Sequence, residues 1–142
     1  MKLFLDTSVL LAAAASTRGA SREIFRLANP NGWVLMTSPY VLEEVGRNLA
    51  DFPLSVSGQW IRLRSDLLLM DDILTLDRPV VFSAGKDRPI LFSALAWADV
   101  LLTLDSGDFG DLLGGSFYGM PVLRPGQFLQ RERTAGRLLE GA

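Results

Sequence analysis

The sequence predicts a single α/β domain with a central parallel β-sheet flanked by helices, a three-layer α/β/α arrangement. Short apolar runs alternate with amphipathic segments, which is the pattern of parallel strands joined by helices. A length of 142 residues suits one domain that buries about two thirds of its unfolded surface. No internal repeat interrupts the alternation. We expect the domain to cover residues 1–130, followed by a polar C-terminal tail at 131–142.

The composition restricts the available chemistry. Hydrophobic residues make up 49% of the chain and charged residues 21%, as in globular proteins. Cysteine and histidine are both absent, which excludes disulfides, thiolate nucleophiles and histidine bases. Catalysis must therefore use carboxylates, hydroxyls, lysine, arginine or a bound metal. The net charge of -2 argues against indiscriminate binding of polyanions.

The first strand and helix meet at an aspartate. Leu3–Leu5 predicts a buried strand and Ser8–Ala15 a helix, so Asp6 lies at the carboxyl end of the strand, where parallel α/β folds bind ligands. The alternative is that Asp6 only caps the helix. This stretch also resembles a secretory signal peptide, but Asp6 interrupts its apolar run. We therefore expect a cytoplasmic protein without a membrane segment.

The middle of the chain continues the alternation and contributes two more carboxylates. The predicted elements are a helix at Ser21–Ala28, a turn at Asn29–Gly32, a strand at Trp33–Met36, a helix at Tyr40–Ala50, a helix over Ser55–Met70, a strand at either Ile73–Leu76 or Val80–Phe82, and a helix at Ile90–Ala98. On a helical projection, Glu44 borders the apolar stripe and Glu43 lies nearly opposite it. Asp87 falls on the inward face of the next helix, where a cap or loop role is the alternative.

A second strand that ends in an aspartate follows. Asp99–Asp105 is an apolar run closed by Asp105, with Asp108 in the turn beyond it. Phe117–Leu123 contains the last predicted strand, and Pro125 begins a final helix. Asp105 and Asp108 are therefore expected at the same edge of the sheet as Asp6.

Carboxylates gathered at one edge repel one another unless a cation lies between them. Oxygen ligands are the ones that Mg²⁺ and Mn²⁺ prefer, and such ions can supply hydroxide from water without histidine. Phosphodiesters are the substrates that match, because the same ions offset their charge.

Several segments in order resemble the PIN-domain ribonucleases, and together they cover Lys2 to about Leu129. They are LFLDTSVLL, TSPYVLEEV, KDRPILFSALAWADVLLTLDSGDF and Val122-Leu123-Arg124-Pro125. The resemblance implies cleavage of RNA with one or two Mg²⁺ or Mn²⁺ ions, leaving a 5′-phosphate and a 3′-hydroxyl. By family role, the ligands would be Asp6, Glu44, Asp87 and Asp105, with Asp108 auxiliary and with Thr7 and Thr103 supporting the aspartates through hydrogen bonds.

The resemblance also implies partners. Many small bacterial members are toxins held inactive by an antitoxin protein, and they commonly form homodimers. Arg88-Pro89 departs from the usual toxin pattern, so a solitary or RNA-maturation member is an alternative role. Basic residues near the expected site are candidates for RNA phosphate contacts, with ordinary surface charge as the alternative: Lys86, Arg88, Arg18 and Arg22.

Two other classes of function fit parts of the sequence. A catalytically inactive PIN-like binding module would keep the fold but bind metal weakly and cleave no RNA. A receiver-like or phosphatase-like domain would use Asp6 as a phospho-acceptor, although it lacks the paired aspartate that such sites usually need. Of these interpretations, the metal-dependent ribonuclease gives a role to all five candidate carboxylates: Asp6, Glu44, Asp87, Asp105 and Asp108.

Overall fold

The computed structural model describes residues 1–74 and 87–141, and within these ranges it confirms the predicted α/β class. The strands are β1 (Lys2–Leu5), β2 (Val34–Thr37), β3 (Leu68–Leu69), β4 (Val100–Leu102), β5 (Gly115–Phe117) and β6 (Met120–Leu123). The helices are α1 (Thr7–Ala15), α2 (Ala20–Asn31), α3 (Pro39–Leu49), α4 (Leu54–Arg64), α5 (Arg88–Trp97) and α6 (Pro125–Thr134).

The strands form one sheet in the order β3-β2-β1-β4-β6-β5. All neighbouring pairs are parallel except the β5–β6 hairpin. From β1 the chain first builds β2 and β3 on one side and then β4 on the other, so the strand order reverses between β1 and β4. In open parallel sheets, ligands bind in the crevice at the carboxyl ends of the strands where this reversal occurs.

Strand β1 lies at the centre of the hydrophobic core. Leu3, Phe4 and Leu5 are all 0% exposed. Because consecutive side chains of a strand point to opposite faces, this burial means that both faces of the central strand are covered. Leu5 is paired with Leu102 of β4, so the two strands end side by side. The residues that follow each strand are therefore neighbours.

Two predicted element boundaries are corrected. The turn predicted at Asn29–Gly32 is mostly helix, because α2 continues to Asn31 and only Gly32, with φ of 65°, takes the left-handed conformation that ends it. The helix predicted to reach Met70 ends at Arg64, and β3 follows at the sheet edge. The apolar run there fits either a helix or a strand, and pairing with β2 decides the outcome. The last strand, β6, lies within the predicted range Phe117–Leu123, and it forms a hairpin with β5, which was not predicted.

The predicted strand at Ile73–Leu76 or Val80–Phe82 lies largely outside the described residues. Ile73 and Leu74, which are described, are not part of a strand.

The β5–β6 hairpin turns at Tyr118 and Gly119, both of which have positive φ, as tight hairpin turns require.

The C-terminal helix crosses the predicted boundary at residue 131, since α6 runs from Pro125 to Thr134. Beyond it, the Leu139 backbone and the Asn31 side chain exchange two hydrogen bonds of 2.8 and 2.7 Å, which join the chain end to α2. Within 1–74 and 87–141, the helices lack the length and apolar character that a bilayer crossing requires.

Candidate active site

Asp6 follows β1 directly and is the N-cap of α1. Its Oδ1 accepts a hydrogen bond from the Val9 backbone N–H at 3.3 Å. The carboxylate is only 3% exposed. The capping role that the sequence allowed is therefore present, and the same side chain also lines a cleft at the carboxyl end of the sheet.

Two hydroxyl groups donate to the Asp6 carboxylate. Ser8 Oγ donates to Oδ1 at 2.5 Å, and Thr103 Oγ1, from the residue after β4, donates to Oδ2. Each hydroxyl oxygen also accepts from a backbone N–H of the loop after β4: Leu104 N–H donates to Ser8 at 2.9 Å and Asp105 N–H donates to Thr103 at 3.0 Å. Both oxygens of Asp6 are thereby connected to this loop.

The environment changes the acidity of Asp6. Burial raises its pKa from 3.8 to about 6, because a carboxylate loses hydration when it leaves water. The hydrogen bonds from Ser8, Thr103 and the backbone act in the opposite direction but do not cancel the burial. Asp6 is therefore a carboxyl group that is costly to ionise without a nearby cation.

Glu44 enters the same cleft from α3. It is 8% exposed, and its Oε1 accepts a hydrogen bond of 3.0 Å from the Thr7 hydroxyl. The prediction that Thr7 supports an aspartate is therefore corrected, because its hydroxyl donates to this glutamate. The adjacent Glu43 is exposed and forms an ion pair of 3.0 Å with Arg47. The helical projection therefore separates the two glutamates correctly, since α3 buries one against the core and leaves the other in water.

Three aspartates lie close together here, and two of them, Asp87 and Asp105, line the cleft. Single oxygen atoms of Asp87, Asp105 and Asp108 lie within 4.8 Å of one another. Asp87 immediately precedes α5 and is 4% exposed. Asp105 Oδ1 accepts hydrogen bonds of 3.0 Å from the backbone N–H groups of Gly107 and Asp108, which fixes its carboxylate in the loop after β4.

The cleft has a volume of about 190 Å³ and brings four of the five predicted acidic residues together. Its lining consists of Asp6, Thr7, Ser8, Leu11, Glu44, Asn48, Asp87, Ile90 and Asp105. A larger cavity of about 410 Å³ lies beside α2, but Asp66 is the one carboxylate in its lining. We assign the site to the smaller cleft, because its carboxylates converge at the switch point of the sheet.

The basic candidates have different surroundings. Arg18 and Arg88 are exposed, and Arg88 begins α5 directly after Asp87. Arg22 donates to the Ala13 carbonyl at 2.8 Å and to Gln59 at 3.1 Å, so its guanidinium is engaged in joining α2 to α1 and α4. Lys86 lies outside the described residues.

Ser8 and Asn48 belong to the site but were not predicted there. Asn48 lies one turn after Glu44 and donates to its carbonyl at 2.8 Å, a placement that the i to i+4 spacing could have indicated. The sequence pattern placed Ser8 only at the start of the predicted first helix. Its contact with Leu104 joins positions 96 residues apart, which no local pattern reveals.

The residues fit a hard divalent cation. Carboxylate oxygens within a few ångströms of one another are the donor set that Mg²⁺ and Mn²⁺ prefer. Among the described residues, no ion pair reaches Asp6, Glu44 or Asp105. These three carboxylates therefore have hydrogen-bond donors but no cationic partner in the described part of the chain.

Comparisons with known proteins identify the fold. No family model matches the chain, and no curated protein does. A chain of VapBC2 from Rickettsia felis, solved bound to a DNA fragment from their promoter, is 14% identical. That match covers 86% of this chain and 97% of that chain with a TM-score of 0.61. VapC20 of Mycobacterium tuberculosis, a Sarcin-Ricin loop cleaving toxin, is 18% identical, with coverage of 77% and 94% and a TM-score of 0.51.

These similarities confirm the PIN-like fold that the sequence resemblance predicts. At identities of 14% and 18% they establish the architecture, while the chemistry must be argued from the side chains. The fold and the cleft together define a PIN-like α/β domain with a carboxylate cluster at the switch point of its sheet.

Proposed function

We propose that this protein is a metal-dependent endoribonuclease that hydrolyses RNA phosphodiester bonds. The observation that carries the proposal is the convergence of carboxylates from four separate segments on one cleft of a PIN-like fold: Asp6, Glu44, Asp87 and Asp105. A structural role does not explain why like charges should be collected at the ligand-binding edge of the sheet.

In this proposal those four residues hold one or two Mg²⁺ or Mn²⁺ ions, with Asp108 as an auxiliary ligand. Asp105 uses Oδ1 for backbone N–H groups, which leaves Oδ2 for an ion. Thr7 orients Glu44 and Thr103 orients Asp6 through their hydroxyl groups. The ions would activate water and offset the charge of the phosphodiester.

The negative charge of the cleft affects how RNA would bind there. An RNA phosphate is repelled by a group of ionised carboxylates, so productive binding requires their charge to be offset. We propose that the exposed Arg88, which follows Asp87, contacts a phosphate next to the scissile bond, with Arg18 as a second candidate. Both contacts would weaken as salt concentration rises.

The proposal extends to partners. The R. felis neighbour is part of a VapBC2 assembly and the M. tuberculosis neighbour is a toxin that cleaves the Sarcin-Ricin loop. By this analogy we propose a toxin role, with a protein antitoxin as inhibitor and a homodimer as the assembled state. Toxin and solitary nuclease differ in whether a co-purifying inhibitor exists, not in the chemistry of the cleft.

The test is incubation of the purified protein with total cellular RNA in Mn²⁺ and, separately, in Mg²⁺. A chelator and the Asp6→Asn variant are the controls. We expect cleavage that requires both the metal and Asp6, with 5′-phosphate ends. No cleavage together with no Mn²⁺ binding would contradict the proposal and favour an inactive PIN-like binding module.

A further inference from the structure

Ser8 occupies a position that helix capping alone does not explain. It is the second residue of α1, yet its hydroxyl donates to Asp6 Oδ1 rather than to the helix backbone. The same oxygen accepts the Leu104 N–H at 2.9 Å. Ser8 therefore joins the start of α1 to the loop that follows β4.

The Ser8 contact is one of two matching connections. Thr103 forms the other, with its hydroxyl between the Asp105 N–H and Asp6 Oδ2. Successive backbone amides of one loop, at residues 104 and 105, thus reach the two oxygens of one carboxylate, each through a hydroxyl. A carboxylate held at both oxygens has little freedom to rotate, because rotation would break both connections.

The loop that anchors these connections also carries Asp105. The Asp105 carboxylate accepts hydrogen bonds from the backbone N–H groups of Gly107 and Asp108. Loss of the Ser8 connection therefore removes one of the two links that hold Asp6 to the loop of Asp105, although Ser8 itself carries no charge.

We infer that Ser8 is a positioning residue that sets the affinity of the cleft for a divalent cation by holding Asp6 in register with the loop of Asp105. The inference rests on the proposed function, because it assigns Ser8 a task at the proposed metal site. Hydrogen-bond partners of metal ligands typically change metal affinity by about 10- to 100-fold when they are removed.

The test compares Ser8→Ala with Ser8→Thr, which keeps a hydroxyl, and with Ser16→Ala, a control at the exposed far end of α1. The first measurement is Mn²⁺ affinity by electron paramagnetic resonance, without RNA. We expect Ser8→Ala to bind Mn²⁺ about 10- to 100-fold more weakly, Ser8→Thr to recover most of the loss and Ser16→Ala to match the wild type. RNA cleavage by Ser8→Ala should recover at saturating Mn²⁺, which a misfolded site would not do.

The second measurement needs no metal. Amide hydrogen exchange at Leu104 should accelerate in Ser8→Ala and return toward the wild-type rate in Ser8→Thr, because the amide loses and regains its acceptor. Equal Mn²⁺ affinity in wild type and Ser8→Ala would overturn the inference and leave the nuclease proposal standing, as would unchanged exchange at Leu104. A wild-type protein that binds no Mn²⁺ would overturn the nuclease proposal, and this inference with it.

Discussion

The carboxylates of the cleft and those near the C-terminal helix are balanced in different ways. Around α2 and α6, acidic side chains are matched by arginine: Glu23 with Arg26 at 2.7 Å, Glu140 with Arg133 at 3.3 Å, and Glu132 with Arg137 at 2.5 Å. In the cleft, Asp6, Glu44 and Asp105 receive hydrogen bonds from hydroxyl and amide groups but form no ion pair with the described cations.

The contrast separates acidic side chains that pair with arginine from those that, under our proposal, would be paired with a metal ion. Glu132 is about as deeply buried as Asp6, at 2% against 3% exposed, yet of the two only Glu132 pairs with an arginine among residues 1–74 and 87–141. Asp6 instead has a pKa raised to about 6 by burial. A carboxylate that the fold buries without a cation costs folding free energy, and a bound metal ion would offset that cost.

The largest expected effect comes from removing a charge from the cleft. Asp6→Asn and Asp105→Asn should each reduce metal-dependent RNA cleavage by at least about 100-fold, beyond the usual effect of losing a supporting hydrogen bond. Their metal-free stability should stay level or rise, because each substitution relieves repulsion between like charges. Chemical denaturation in the presence of a chelator measures this directly, and a clear loss of stability in both variants would count against the cluster.

The glutamate pair on α3 provides a matched comparison. Glu44→Gln should weaken Mn²⁺ binding and RNA cleavage by about 10-fold or more, whereas Glu43→Gln should leave both unchanged, because Glu43 pairs with Arg47 in solvent. Mn²⁺ titrations and RNA cleavage rates of the two variants measure this difference. Equal effects at the two positions would show that overall charge, rather than placement in the cleft, controls the activity.

The pH dependence of metal-free stability should also distinguish the two regions. The folded-state pKa of Asp6 is raised, so its stabilising contribution is complete below its unfolded value of 3.8 and is lost as the pH rises through about 6. The loss amounts to at most about 3 kcal/mol. Denaturation curves from pH 4 to 7 should show this decline in the wild type and a flatter profile in Asp6→Asn. Identical profiles would contradict the assigned environment of Asp6.

The smallest effect on activity is expected at the C-terminal helix. Arg137→Ala removes the partner of the buried Glu132 and should lower the midpoint of thermal unfolding without changing RNA cleavage. Arg133→Ala is the matched control, because its pair with Glu140 is exposed on both sides and contributes less. Loss of RNA cleavage in Arg137→Ala at a temperature where the variant remains folded would contradict the claim that the Arg137–Glu132 pair contributes to stability and not to activity.

The sequence predicted the parts of the site that depend on local pattern. Asp6 and Asp105 follow apolar strands, and the helical projection distinguished Glu44 from Glu43. Those features arise from the side-chain periods of strands and helices, which are visible in one sequence. The resemblance then supplied the expected fold, which the structure confirms.

The parts that sequence did not predict depend on contacts between distant segments. Strand β3 at Leu68–Leu69 forms only because β2 is available beside it, since its apolar residues equally fit a helix. Ser8 gains its place in the site from a loop 96 residues away. Arg22 was a candidate for RNA contact from charge alone, but its packing against α1 and α4 engages it within the fold.

The most direct test of the central claim is a Mn²⁺ titration of the protein without RNA, followed by electron paramagnetic resonance with Mg²⁺ as competitor. The wild type should show saturable binding that Mg²⁺ displaces. Asp105→Asn should weaken this binding strongly, while Asp111→Asn, an exposed acidic residue six positions along the same loop, should not. Absence of saturable binding in the wild type, or equal loss in the two variants, would contradict a metal site in the cleft.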